Sequence, residues 1–280
     1  MSPITLRTKM AQESSTGASC DDLEPLARVD GWGINVATLD GAIAAVVEAA
    51  SRSEPAALFT LNLDHLVKLR NDRCFCRAYA RARFITADGA PIAQLARTQS
   101  PIIERTTGAD LVVPLAAAAA ERGLPLYLFG SAPGVLGEAG RRLTQCSAAP
   151  LAIAGSAAPP MDFDPEGREA DEAIARIARS GARICLLALG APKQEIFAAR
   201  AIERGVPVVF VCVGAALDFI AGAQMRAPRV MQRNGLEWLW RLANGPRRLA
   251  GRYARCALLY AKLLLLPARP ADAVARANQM

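Results

Sequence analysis

Short, almost wholly apolar runs alternate with longer amphipathic segments through most of the chain. The runs cover residues 57–61, 83–87, 124–129, 151–154, 184–189 and 206–213, and Gly, Pro and Asp recur at their borders. Between them, residues 39–50, 110–122, 134–144, 165–179 and 192–204 carry apolar positions at helical spacing. Short strands without polar alternation are strands buried on both faces, and their alternation with helices of 10–15 residues marks βαβ units. The pattern predicts an α/β fold: a Rossmann-like, mostly parallel sheet with helices on both faces. Gly31 and Gly33 supply turns for a small hairpin over 28–36, and no internal repeat is present.

In open parallel sheets, ligands bind beyond the carboxyl ends of the strands. The residues just after each apolar run are therefore the candidates for chemistry. FGSAPG (129–134) and VGAALD (213–218) place Gly130 and Gly214 between a strand and a helix. A helix N-terminus offers unpaired N–H groups, and glycine lets a phosphate approach them closely. Turn chemistry alone accounts for each glycine and is the favoured reading at any single junction. GAPKQE (190–195) says more, because Pro192 and Glu195 suit a helix start while Lys193 and Gln194 are left over for a ligand. No G-x-G-x-x-G or P-loop string occurs, which weakens dinucleotide and NTPase readings.

Asp88 closes RFITADG, either as a turn aspartate before glycine or as a carboxylate at the mouth of the sheet. His65, the only histidine, follows Thr60 and Asn62 at the start of a helix and reads as structural. Asp162-Phe163-Asp164 has the form of a D-x-D metal motif. Asp164-Pro165-Glu166 reads better as an N-cap, a proline at the first helical position and an acidic first turn.

Composition adds a boundary. The 280 residues are 52% hydrophobic, yet no run approaches the ~20 apolar residues of a spanning helix. Residues 1–24 read as a polar, disordered lead-in, residues 25–224 as the α/β core and residues 225–280 as a basic amphipathic appendage. Seven irregularly spaced cysteines fit a reduced, cytoplasmic protein better than a disulfide framework. The net charge is +7, but residues 225–280 hold 11 Lys/Arg against 2 Asp/Glu. The whole positive excess therefore lies in the tail, which implies an anionic partner. Leu236, Leu239, Trp240 and Ala243 form a helical stripe there, and residues 256–266 are apolar except for Lys262. Interleaved Leu and Trp favour a lipid interface over a nucleic-acid surface.

Seven ordered strings together resemble the WecB/TagA/CpsF family, glycosyltransferase family 26. They are TLNLDHLVKLRND (60–72), ADGAPI (87–92), ERTTGADL (104–111), LYLFGSAPG (126–134), LALGAPKQE (187–195), VGAALDFIAG (213–222) and RAPRVMQRNGLEWLWRLANGPRRL (226–249). The resemblance implies an inverting transferase in exopolysaccharide, capsule or cell-wall polymer biosynthesis. Its donor would be a UDP-sugar and its acceptor a polyprenyl-diphosphate-linked saccharide. The resemblance implies Asp88 as catalytic base, with Thr60, Asn62, Arg105 and Gln194 lining the pocket. It brings Arg241, Arg248 and Arg252 of the tail to the diphosphate. Gly130, Lys193 and Gly214 complete the substrate-binding set from the strand ends. No metal or other cofactor is expected, and Asp162 and Asp164 keep their capping role. The expected location is peripheral, on the inner face of the cytoplasmic membrane. Oligomeric state stays open, a homo-oligomer included. A nucleotide-dependent oxidoreductase and a basic-tailed nucleic-acid-binding protein are the alternative readings.

Overall fold

The computed structural model describes residues 24–265, apart from the side chain of Arg248. All of the expected lead-in except Glu24, and residues 266–280 of the tail, lie outside the described residues. A hairpin pairs β1 (Ala27–Val29) with β2 (Trp32–Ile34) through a turn at Asp30 and Gly31, whereas Gly33, also expected to supply a turn, lies within β2 opposite Arg28. The main sheet holds β3 (Ala56–Leu61), β4 (Phe84–Ala87), β5 (Leu126–Gly130), β6 (Ile153–Ala157), β7 (Ile184–Ala188) and β8 (Val209–Cys212). Its order is β4-β3-β8-β7-β5-β6 and every pairing is parallel. The chain leaves β3 toward one edge and leaves β5 toward the other. Such a reversal opens a crevice above the strands between them.

Helices α1 (Leu39–Ser51), α5 (Gly108–Glu121), α6 (Pro133–Cys146) and α9 (Ala216–Ala221) cover one face. Helices α2 (Leu63–Leu69), α3 (Arg73–Ala80), α4 (Ala90–Arg97), α7 (Arg168–Arg179) and α8 (Lys193–Glu203) cover the other. Strand β3 serves both layers, sending Ala57, Phe59 and Leu61 one way and Ala56 and Leu58 the other. That double burial is why the strands read as unbroken apolar runs. Phe129, Phe197 and Phe210 are fully buried, and Phe129 stacks on Phe197 with ring centroids 4.7 Å apart. Each such side chain contributes about 1.5–3 kcal/mol by burial.

The run expected at 151–154 forms its strand at Ile153–Ala157, and the helix expected from 110 begins at Gly108. Three other boundaries shift for a backbone reason. The strands expected from 124 and 206 begin at Leu126 and Val209, because Pro125 and Pro207 have no N–H to give the ladder. The helix expected from Pro165 begins at Arg168 with Gly167 as its N-cap. Asp164 is therefore not the helix cap. Its Oδ1 accepts the Glu166 N–H at 2.9 Å and its carbonyl accepts the Gly167 N–H, which closes a turn ahead of the helix.

Beyond Gly222 the chain forms α10 (Arg229–Arg233), α11 (Glu237–Asn244) and α12 (Pro246–Leu265). One face of α12 is buried through Leu249, Cys256 and Leu259, and Leu259 joins the core layer beside α2. Leu258, Leu264 and Leu265 on its other side are exposed, Leu265 by 82%. The expected stripe on α11 is not buried: Leu236 and Leu239 stay exposed. No helix among the described residues is long and apolar enough to cross a membrane.

Candidate active site

Parallel pairing brings the carboxyl ends of β3 and β4 side by side. Thr60 is buried on β3, in register with Thr86. Asn62 follows β3 and caps α2, its Oδ1 accepting the His65 N–H at 3.0 Å. With that oxygen occupied, the side-chain NH₂ donates to Asp88 Oδ2 at 3.3 Å. Asp88 itself follows β4 and its backbone N–H donates to Leu61 O at 2.8 Å. Gly89 completes the turn with φ of +84°, a conformation that favours glycine. Burial pushes the Asp88 carboxyl up to about 6. The Asn62 hydrogen bond and the charges of Arg241 and Arg105 pull the other way, while Glu237 adds to the rise.

Arg105 reaches this corner because its segment extends the sheet past β4. Ala87 bridges to Arg105, and the Thr106 N–H donates to Ala87 O at 2.8 Å. Its guanidinium is part of a closed ring of four charges. Arg105 meets Glu237 Oε2 at 3.2 Å and Asp110 Oδ2 at 3.4 Å. Arg226 meets Glu237 Oε1 at 3.1 Å and Asp110 Oδ1 at 2.6 Å. The ring ties the appendage to the core beside Asp88. Asp110, Arg226 and Glu237 were not among the expected site residues, although all three sit inside the strings that carry the resemblance.

The remaining tail arginines divide. Arg241 stands near Asp88 with its guanidinium 5.5 Å from the Phe219 ring centroid. Arg252 lies 3.1 Å from Asp64 Oδ1, a carboxylate that also holds Lys68 at 2.7 Å. Lys193 is directed elsewhere, its Nζ donating to Met161 O at 2.9 Å. The Arg248 side chain lies outside the described residues.

Three glycine turns line the same edge of the sheet. Gly130 has φ of +112°, and a Cβ there would lie 2.5 Å from the Ala188 backbone, so packing of β5 on β7 already requires glycine. Gly190 and Gly214 also take positive φ, but with open space where a Cβ would stand. Helices α6, α8 and α9 start from these turns without a side-chain cap, whereas α1, α2, α3 and α5 are capped by Thr38, Asn62, Asp72 and Thr107. Uncapped N-termini leave N–H groups for an anion. Ser131 Oγ donates to Asp218 Oδ1 at 3.1 Å and links two of the turns.

Gln194 faces inward rather than into the crevice. It is 3% exposed. Its Oε1 accepts the N–H of Gly190 at 3.2 Å and of Gly214 at 3.3 Å, and its Nε2 donates to Glu195 Oε1 at 2.7 Å. His65 is buried behind them, with Nδ1 2.6 Å from Tyr79 OH and Nε2 4.0 Å from Glu195 Oε1. Burial pushes its pKa down to about 3, so the ring is neutral and structural, as its position predicted.

The corner therefore offers a carboxyl that ionises near neutral pH, two guanidinium groups beside it, and uncapped helix N-termini along the crevice. A group of this kind can accept a proton from a hydroxyl while the positive groups hold an anion. The family model described as "Glycosyl transferase WecG/TagA/CpsF family" matches residues 27–271.

Proposed function

Because the chain belongs to the WecG/TagA/CpsF glycosyltransferase family, we propose that it is an inverting transferase of cell-wall or polysaccharide biosynthesis, moving a sugar from UDP to a polyprenyl-diphosphate-linked saccharide. Of the three classes that the sequence left open, family membership selects glycosyl transfer. The observation that carries the mechanism is Asp88, its carboxyl raised to about 6 at the meeting of β3, β4 and the Arg105 segment.

In the proposed reaction the acceptor hydroxyl loses its proton to Asp88 as its oxygen attacks the anomeric carbon. The bond from that carbon to the diphosphate oxygen breaks on the opposite side, and UDP departs with the electron pair. One displacement inverts the anomeric centre. Charge growing on UDP is taken up by Arg241, Arg105 and the helix N-termini at Gly130, Gly190 and Gly214, with no metal in the scheme. Thr60 and Asn62 border the reacting sugar. Arg252, now paired with Asp64, would need to leave that carboxylate to reach a phosphate.

The enzyme would work peripherally on the inner face of the cytoplasmic membrane. Support comes from exposed Arg229, Arg233, Arg247, Arg255 and Lys262, which make no ion pair among the described residues, beside exposed Val230, Trp238, Leu258 and Leu265. Apolar side chains between basic ones suit a headgroup interface. A screen of several UDP-sugars against a synthetic lipid-diphosphate acceptor tests the reading, with the product's anomeric configuration read by NMR. Transfer with inversion is expected. Transfer with retention, or turnover only with a donor lacking a nucleoside diphosphate, overturns it.

A further inference from the structure

Glu195 is completely buried at the start of α8, where burial of a carboxyl is costly unless it is hydrogen-bonded, paired or protonated. Its Oε1 accepts the amide of Gln194, its Oε2 has no hydrogen-bond partner, and burial pushes its carboxyl up to about 7. Gln194 is the neighbour it orients. An amide side chain can present either end, and the two ends are alike in shape. With Nε2 held by Glu195, the oxygen must face the other way, and there it accepts two backbone N–H groups from separate turns, Gly190 after β7 and Gly214 after β8. Below the turns the two strand ends are joined by the Val213 N–H, which donates to Leu187 O at 2.9 Å. His65 and Tyr79 close the space behind Glu195 from α2 and α3.

We infer that Gln194 is a clamp between the two glycine turns and that Glu195 is the positioning residue that sets its orientation, so that neither contacts substrate and both act on how the turns hold the donor diphosphate. This rests on the proposed UDP donor for its functional consequence, but the clamp itself is a property of the free protein. It reassigns Gln194 from the pocket lining that the resemblance implied. It also accounts for an acidic residue with no exposure next to a crevice built for anions: the carboxyl faces the amide and the core.

The test compares Gln194→Ala, Glu195→Ala and Glu195→Gln with the unaltered full-length protein. Two readouts are used: amide hydrogen exchange without ligand, and UDP affinity by calorimetry. Gln194→Ala and Glu195→Ala are expected to lose protection at Gly190 and Gly214 while the β7 and β8 amides keep theirs. UDP binding in both should weaken about 10-fold or more, as expected for two hydrogen bonds lost from a site. Glu195→Gln keeps an acceptor oxygen and an uncharged group, so it should stay within about 2-fold of the unaltered protein. Unchanged exchange at Gly190 and Gly214 in Gln194→Ala overturns the clamp whether or not UDP binds. So does loss of protection across the whole sheet, which would make the residue a plain element of the core. Glu195→Gln as weak as Glu195→Ala overturns the orienting role. If the unaltered protein ignores UDP, the donor reading falls, and the exchange data alone then decide for or against the clamp.

Discussion

Asn62 donates its side-chain amide to Asp88 Oδ2 across 3.3 Å, and it can do so in only one orientation because its oxygen already caps α2. The helix cap thus aims the donor. The free-standing alternative, an amide able to flip, would offer Asp88 an oxygen as readily as a nitrogen.

Replacing Asn62 tests this coupling. Asn62→Ala removes cap and donor together and should cost about 1 kcal/mol of stability, read by denaturant unfolding. Asn62→Asp keeps the cap but turns a carboxylate oxygen toward Asp88. Like charges raise each other's pKa, so the acidic limb of the rate profile should move to higher pH. A limb that stays in place would show that another group titrates there.

Asp88→Asn should fold and transfer poorly, with a loss of roughly 10²–10⁴-fold in kcat/KM. In the unaltered enzyme kcat/KM should rise with pH through about 6 as Asp88 becomes the carboxylate. Stability runs the opposite way. The folded pKa lies above the ordinary aspartate value of 3.8, so the contribution of the protonated group is complete below that value and is lost as pH rises through about 6. The asparagine carries no such loss, and at pH 8 the variant should melt no lower than the unaltered protein. Near-normal turnover by Asp88→Asn removes it from the mechanism.

The four-charge ring makes Glu237 the fastening of the appendage. Glu237→Gln leaves Arg105 and Arg226 to share Asp110 alone. The groups are partly buried, with side-chain exposures of 20–24%, so the expected cost is about 1–2 kcal/mol, below that of a fully buried pair. Limited proteolysis between Gly222 and Glu237 should speed up accordingly, and high salt should narrow the difference. Equal cleavage rates at low salt would mean that packing of α12 on α2 holds the appendage unaided.

Arg247, Arg255 and Lys262 are exposed on α12 and make no ion pair among the described residues. Changing all three to Glu should leave the melting temperature nearly unchanged and abolish pelleting with anionic vesicles, since each basic residue near such a surface is worth about 1 kcal/mol. A chain ending near Gly222 should likewise stay soluble, fail to pellet and lose activity. Full-length protein that ignores anionic vesicles at low salt sinks the membrane reading.

Apolar patterning already contains the sheet, because strands buried on two faces have no choice of composition. The runs around Phe59, Leu128 and Leu186 could be placed without coordinates for that reason. Asp88 and Asn62 were visible as well: parallel strands put every carboxyl end at one edge, so residues just after the runs had to gather there. Local backbone chemistry limited the precision, as Pro125, Pro207 and the turn at Asp164 show.

Which polar groups satisfy one another is settled only once the elements are packed together. Arg226 meets Asp110 across 116 positions of chain and Arg105 meets Glu237 across 132. Nothing local constrains pairs so far apart. Composition made the tail a uniform excess of positive charge, whereas the fold neutralises Arg226 and pairs Arg252 while leaving others exposed. Gln194 shows the same limit at closer range. Its place after a strand could be read from the sequence, but whether its amide faces the crevice or the turns depends on Gly214, which β8 brings alongside only when the sheet is assembled. Burial of apolar surface is a property of each segment and is written in its own residues. The pairing of charges and hydrogen bonds is a property of neighbours, and neighbours are settled by the fold.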